Sequence, residues 1–167
     1  LSPPTWIPGQ VLASADVNSW FVPLVGLKTS NQTTVSNTTL LNDTQVVFAA
    51  AANVTYWVET ALIFESATGT DIKFQWNGPA GATLNGVTNY RTLASAATVH
   101  GQWQLGASGL VSSAGSGSGT PVGMTAFGTL ATGGSSGNFQ LQWAQSTSGG
   151  INTTVMAGCA VIAWRIA

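Results

Sequence analysis

The sequence predicts an all-β protein: a jelly-roll-like β-sandwich of about 8–10 strands behind an extended N-terminal arm that contains one short helix. Three observations lead there. From Ser30 onward the chain is a series of short apolar runs with period-two alternation, separated by clusters of Gly, Ser, Asn and Thr at the spacing of sandwich turns. No heptad, helical repeat or solenoid period interrupts that texture. Residues 1–29, by contrast, hold four of the six prolines and two of the seven tryptophans.

Taken in order, Pro3, Pro4 and Pro8 favour extended backbone, and Pro8-Gly9 favours a turn. Ser14, with Asp16 two residues on, is placed to cap a short helix over 15–21 that Pro23 ends. Trp6, Ile7, Val11, Leu12, Val17, Trp20 and Phe21, with Val22, Leu24 and Val25 after them, are more apolar groups than so short a segment can bury on itself. They need a surface to dock on, either the chain's own sandwich or a neighbouring subunit. The organisation expected is therefore an attachment arm, residues 1–29, and a β-sandwich domain, residues 30–167.

Within the domain, alternation predicts strands at 33–35, 38–41, 45–50, 55–64, 71–76, 82–90, 97–105, 122–130, 139–145 and 155–166. The runs 55–64 and 71–76 flank a short Ser/Gly/Thr/Asp turn and give the strongest hairpin signal. On the first run Tyr56, Val58, Leu62 and Phe64 alternate with Trp57, Glu59, Ala61 and Ile63, so both faces are largely apolar. Such a strand is expected at the centre of a sheet, one face in the sandwich and part of the other, around Trp57 and Ile63, against a neighbouring subunit or the arm. The final run, apolar except for Arg165, predicts a tucked-in central strand whose Trp164 joins the same subunit interface. The segments 112–120 and 132–137 are Gly/Ser-rich and predict flexible loops.

Composition narrows the function. Only 5% of residues are charged and the net charge is -1, against roughly 25% charged in typical soluble domains. No basic cluster exists to track phosphates, so no nucleic-acid partner is expected. No apolar run approaches the roughly 18–20 residues of a membrane span, so no membrane partner is expected either. No basic n-region precedes an apolar stretch, and no signal peptide is expected. A surface with so little charge lacks the repulsion that keeps monomers apart and suits a chain packed against copies of itself or other proteins.

The residues that carry chemistry are few. Cys159 lies in an apolar run and reads as a buried, inert thiol. The single histidine, His100, reads as a structural or surface residue, and no G-x-S-x-G elbow accompanies it. One Cys and one His cannot make a zinc set, and Asp16, Asp43, Glu59, Glu65 and Asp71 lack calcium-loop spacing. Glu59 and Glu65 would lie roughly 20 Å apart on one strand, too far for a glycosidase pair. Glu65 and Asp71 are expected at a solvated turn. No catalytic residue, metal or cofactor is therefore assigned. The five sequons, at Asn31, Asn37, Asn42, Asn53 and Asn152, are what a Thr- and Asn-rich chain produces by chance. The seven tryptophans admit two readings: core and subunit interfaces, or a glycan-binding face made by exposed Trp and Tyr90 with the loops at 106–120 and 131–137.

The segments TWIPGQVLASADVNSWFVPL (5–24), TTLLNDTQVVFAAAANVTYWVETALIFES (38–66), DIKFQWNGPAGA (71–82) and AVIAWRIA (160–167) together resemble a family of small virion proteins of tailed bacteriophages, particularly those of actinobacteria. The PGQVL-x-x-x-DVN-x-W pattern (8–20), AANVTY (51–56) and GPAGA (78–82) are its specific parts. The resemblance implies a non-enzymatic component of the virion surface with a trimeric β-sandwich. It leaves the place on the particle open; joined to the apolar arm and the low surface charge, it leads to the expectation of a capsid decoration protein, a homotrimer whose arm binds the major capsid protein or other virion proteins. A tail or fibre adhesin that binds a receptor or a host-surface glycan is the alternative it leaves open.

Overall fold

The computed structural model describes residues 7–9, 11, 13–14, 18, 21–95 and 97–167. Their strands are β1 (Leu24–Leu27), β2 (Gln32–Thr34), β3 (Leu41–Ala50), β4 (Thr55–Glu65), β5 (Ile72–Asn77), β6 (Thr83–Arg91), β7 (Thr98–Trp103), β8 (Val111–Ser113), β9 (Val122–Ala131), β10 (Gly137–Gln145), β11 (Thr153–Val155) and β12 (Ala160–Arg165). They form two antiparallel sheets packed as a jelly-roll-like sandwich. The larger runs β1-β12-β4-β9-β6-β7, with β11 pairing β4 and β2, and the smaller runs β3-β10-β5-β8.

Alternation explains the packing. Tyr56, Val58, Leu62 and Phe64 of β4 point inward and are fully buried, as are Ile72, Phe74 and Trp76 of β5 and Phe139, Leu141 and Trp143 of β10. Trp76 stacks on Phe139 with ring centroids 4.8 Å apart, and Trp103 meets Trp76 edge-on at 5.6 Å. Aromatic rings thus fill the space between the sheets, where each contributes burial and quadrupole contacts together.

The runs 55–64 and 71–76 are strands, but they do not pair as a hairpin. β4 lies in the larger sheet and β5 in the smaller. The turn between them is a crossover: Ser66 Oγ donates to the Asp71 carbonyl (2.8 Å), and the Asp71 N–H donates to the Ala67 carbonyl (2.9 Å). The two apolar faces therefore oppose each other across the core, with Phe64 against Phe74 at 5.2 Å. Alternation reports which side of a strand is apolar and is blind to whether a neighbour pairs beside it or packs across from it.

Among the described residues the strands number twelve because local geometry redraws several boundaries. The predicted runs 38–41 and 45–50 give way to β3, which carries a register shift against β10. The C-terminal run is interrupted at 156–159, where Gly158 takes φ +92, while β4 continues opposite and pairs with both β11 and β12. β1 falls inside the 1–29 segment yet pairs with β12, so the sheet begins before the arm ends. A Cβ at Gly26 would overlap the Val47 backbone, so glycine is what lets β1 approach β3 closely. Just beyond β1, Lys28 Nζ meets Asp43 Oδ2 at 2.7 Å, with both side chains buried, and this ion pair ties the β1 end to β3. In the arm, Ser14, Asn18 and Phe21 are helical, and the rest of the helix expected over 15–21 lies outside the described residues.

Candidate assembly surface

The two outer faces of the sandwich differ in kind. On the smaller sheet, Gln75 donates to Gln142 (3.0 Å) and Gln142 to Asn42 (2.8 Å), a ladder of amides across β5, β10 and β3. On the larger sheet the outward positions of β1, β12 and β4 are mostly apolar, and Phe127 of β9 and Val87 of β6 extend that patch among Thr, Asn and Gly. Val25, Leu27, Ile63, Val87 and Phe127 are all exposed there, Phe127 by 45%. Contiguous apolar area of this kind is the usual mark of a contact surface.

The interface residues expected from sequence lie on this face. Trp57 on β4 and Trp164 on β12 are register partners and stand side by side, both half-buried. Ile63, also outward on β4, lies six residues from Trp57, roughly 20 Å along the strand. Trp57 stacks obliquely on Phe127 at 6.0 Å, and its indole N–H donates to Glu59 Oε1 at 2.9 Å. Phe127, Ile162 and Val87 were not singled out from sequence, and Val25 was named only among the apolar residues of the arm. Phe127 carried a signal, being the one aromatic on the Gly/Thr face of its strand.

Of the expected attachment residues, Ile7, Val11 and Phe21 are exposed, Val11 by 90%. Trp6, Leu12, Val17 and Trp20 lie outside the described residues. Phe21 and Val22 lead directly into β1, the edge strand of the apolar face, whose Leu24 is in register with Ala163.

Other chemistry-bearing groups serve the fold. His100 is exposed on β7, its Nδ1 hydrogen-bonded to Asn89. Glu65 accepts from Ser118 Oγ (3.3 Å) and the Gly119 N–H, while Asp71 Oδ1 accepts from the Gly115 N–H (2.9 Å). The two carboxylates expected at a solvated turn therefore pin the 112–120 segment, whose start is strand β8. Cys159 is fully buried, its Sγ 3.1 Å from the Ile63 nitrogen and 3.3 Å from the Ile63 carbonyl, and burial raises the thiol pKa above its ordinary value. Among the described residues no three of His, Cys, Asp and Glu cluster closely enough to hold a metal ion. Trp76, Trp103 and Trp143 are buried, and Tyr90 is half-buried against the core. The segments 106–120 and 131–137 contain no aromatic residue.

The chain matches no protein-family model and no curated protein. Among solved structures it is similar to the tripod from the baseplate of bacteriophage Tuc2009, at 14% identity and a TM-score of 0.37, covering 99% of this chain and 75% of that one. It is also similar to the VP2 subviral particle of infectious bursal disease virus, at 12% identity and a TM-score of 0.22, covering 99% of this chain and 46% of that one. Likenesses this slight carry no argument, and the fold rests on the strand pairing and packing described above.

Proposed function

We propose that this chain is a non-enzymatic structural protein of a bacteriophage virion, a capsid decoration protein that binds the particle surface through its N-terminal arm. The observation that carries the reading is the continuity of the arm with an apolar sheet face. Exposed Phe21 and Val22 run into β1 at the margin of that face. A low-charge sandwich with one amide-covered face and one face that is apolar over β1, β12 and β4 suits a part fixed between neighbours. The sequence resemblance to small phage virion proteins supports the same reading. In it, the arm residues Trp6, Ile7, Val11, Leu12, Val17, Trp20 and Phe21 meet the major capsid protein or another virion protein, and the sandwich is a homotrimer with Trp57, Ile63 and Trp164 at its subunit contacts.

The test is made on particles. Full-length protein should occupy each virion in hundreds of copies, and protein lacking residues 1–21 should be lost from it. Full occupancy by the truncated protein would remove the arm as the anchor. A handful of copies confined to the tail would replace decoration by the tail-adhesin alternative.

A further inference from the structure

Strand register orders the outer face of the larger sheet into rows. Val25, Ile162, Glu59, Phe127 and Val87 stand abreast across β1, β12, β4, β9 and β6. The next row along the strands is Leu27, Ala160, Ala61, Thr125 and, on β6, Asn89, whose amide donates to the Thr125 hydroxyl. Branched and aromatic side chains make the first row a ridge between β12 and β6, and the small Ala160, Ala61 and Thr125 make the second a trough. A depression of about 370 Å³ lies where they meet, lined by Ala61, Ala160 and Thr125 with Ile162, Phe127 and Glu59. One face thus carries both a knob and the hole that fits it.

We propose that this face is a self-association surface, covered by a second copy of the chain whose Ile162–Phe127 ridge seats in the Ala160–Ala61–Thr125 trough. The inference rests on the chain's proposed role in assembly and adds to Trp57 the residues of the same face that fit one copy to the next. Area is the first argument for that occupant. Taking ~4.8 Å between strands and ~3.4 Å per residue, the whole six-strand face, with its polar β6 and β7 margin included, covers on the order of 750 Å², close to the ~800 Å² per partner of a stable interface. Charge is the second. The ridge row holds a single charged group, Glu59, whose carboxylate accepts the Trp57 indole N–H of the same chain, so beyond that one carboxylate the face offers no charge pattern for an oppositely charged partner to match. A protein with ordinary surface charge would have to strip water from its ions to cover this patch, whereas a chain with 5% charged residues would not. Third, ridge and trough lie on one surface, so a copy of the chain brings both complements.

The experiment measures the mass of the full-length protein in solution by light scattering, at micromolar concentration. The expected mass is at least twice that of the 17.0 kDa chain. Phe127→Asp combined with Ile162→Asp should reduce it at least two-fold, to a monomer with an unchanged far-UV circular dichroism spectrum, because both side chains point out of the core. Ala61→Trp, which fills the trough and leaves the ridge intact, should do the same and stands in if the double variant does not fold. Gln75→Asp on the opposite, amide-covered face should leave the mass unchanged. A monomeric wild type, or Phe127→Asp/Ile162→Asp or Ala61→Trp variants that fold and keep the wild-type mass, would overturn the proposal. An oligomer that is absent from virions would leave this surface standing and remove the virion role.

Discussion

Asp43 is the residue whose loss should damage the fold most for a single polar side chain. Its Oδ2 receives the Lys28 ammonium at 2.7 Å, and its Oδ1 accepts the backbone N–H groups of Gln45 (3.0 Å) and Val46 (2.9 Å). Both charged side chains are at most 1% exposed, so neither can turn to water when its partner is removed. Asp43→Asn keeps an acceptor for the two N–H groups and isolates the charge; leaving a buried charge unpaired costs about 3–5 kcal/mol. Asp43→Ala also orphans the N–H groups, adding about 1–3 kcal/mol for a buried donor left unmade. Lys28→Met with Asp43→Asn removes both charges at similar volume and should return to within about 1 kcal/mol of wild type, since a buried pair gains little over an apolar replacement. Urea unfolding at neutral pH gives these values from the midpoints at unchanged slope. In a chain of this size the Asp43→Asn loss corresponds to a melting temperature lower by roughly 6–20 °C. Equal stability of Asp43→Asn and wild type would refute the reasoning, as would a double variant no better than Asp43→Asn. The pair also anchors the strand that carries the arm, so hydrogen exchange in β1 should quicken in Asp43→Asn before global unfolding does.

Three further residues carry expected outcomes. Cys159 should resist a thiol reagent in the native state and react only at the rate of opening; prompt labelling would contradict its burial. Because burial raises its folded pKa above the ordinary 9.0, the unfolded chain ionises first, so its contribution to stability is complete below pH 9.0 and is lost as pH rises beyond it, a trend absent in Cys159→Ala. Asp71→Ala should free the Gly115 amide and raise protease cleavage within 112–120 several-fold, with a stability cost of about 1–2 kcal/mol from an alanine held at the left-handed φ of +49; unchanged cleavage would mean that Asp71 does not pin this segment. Trp57→Ser should lower folding stability by only about 1 kcal/mol, through the lost contact with Phe127, while weakening self-association at least ten-fold by sedimentation. A folding loss of core size would instead place Trp57 in the interior.

The fold class was legible because burial at every second residue is a direct physical imprint of a sheet face. Tyr56, Val58, Leu62 and Phe64 followed that imprint into the core. Pairing left no such mark. The 55–64 and 71–76 runs have the alternation of a hairpin and a short turn between them, yet the turn's side-chain hydrogen bonds carry the chain across to the other sheet. β1 was hidden by its brevity and by Gly26, whose missing side chain is the condition for its close packing on β3. The roles of Lys28 and Asp43 were also hidden, because residues fifteen apart in sequence meet only after the sheets stack. For the candidate surface, Trp57 and Trp164 could be named from the surplus of apolar positions on their strands. Phe127 could be grouped with them only once β9 was known to pair with β4.

How the few charges are used leads to a last expectation. The acids among the described residues are Asp43, Glu59, Glu65 and Asp71, and each accepts a hydrogen bond from within the chain. Lys28 is spent on Asp43, and Arg91 donates to Ser116. With 5% of its residues charged the surface projects little field, and solubility rests on amides and hydroxyls such as the Gln75–Gln142 ladder. An interface formed by Ile162, Phe127 and the alanine trough would be held by apolar area, which salt does not screen. Raising salt from about 0.05 M to about 1 M, where the Debye length falls to about 3 Å, should change the dissociation constant by less than about three-fold and in the tightening direction. Sedimentation at the two ionic strengths measures this directly. A ten-fold weakening at high salt would show that ion pairs hold the copies together, and the apolar face would then be covered by something other than the chain itself.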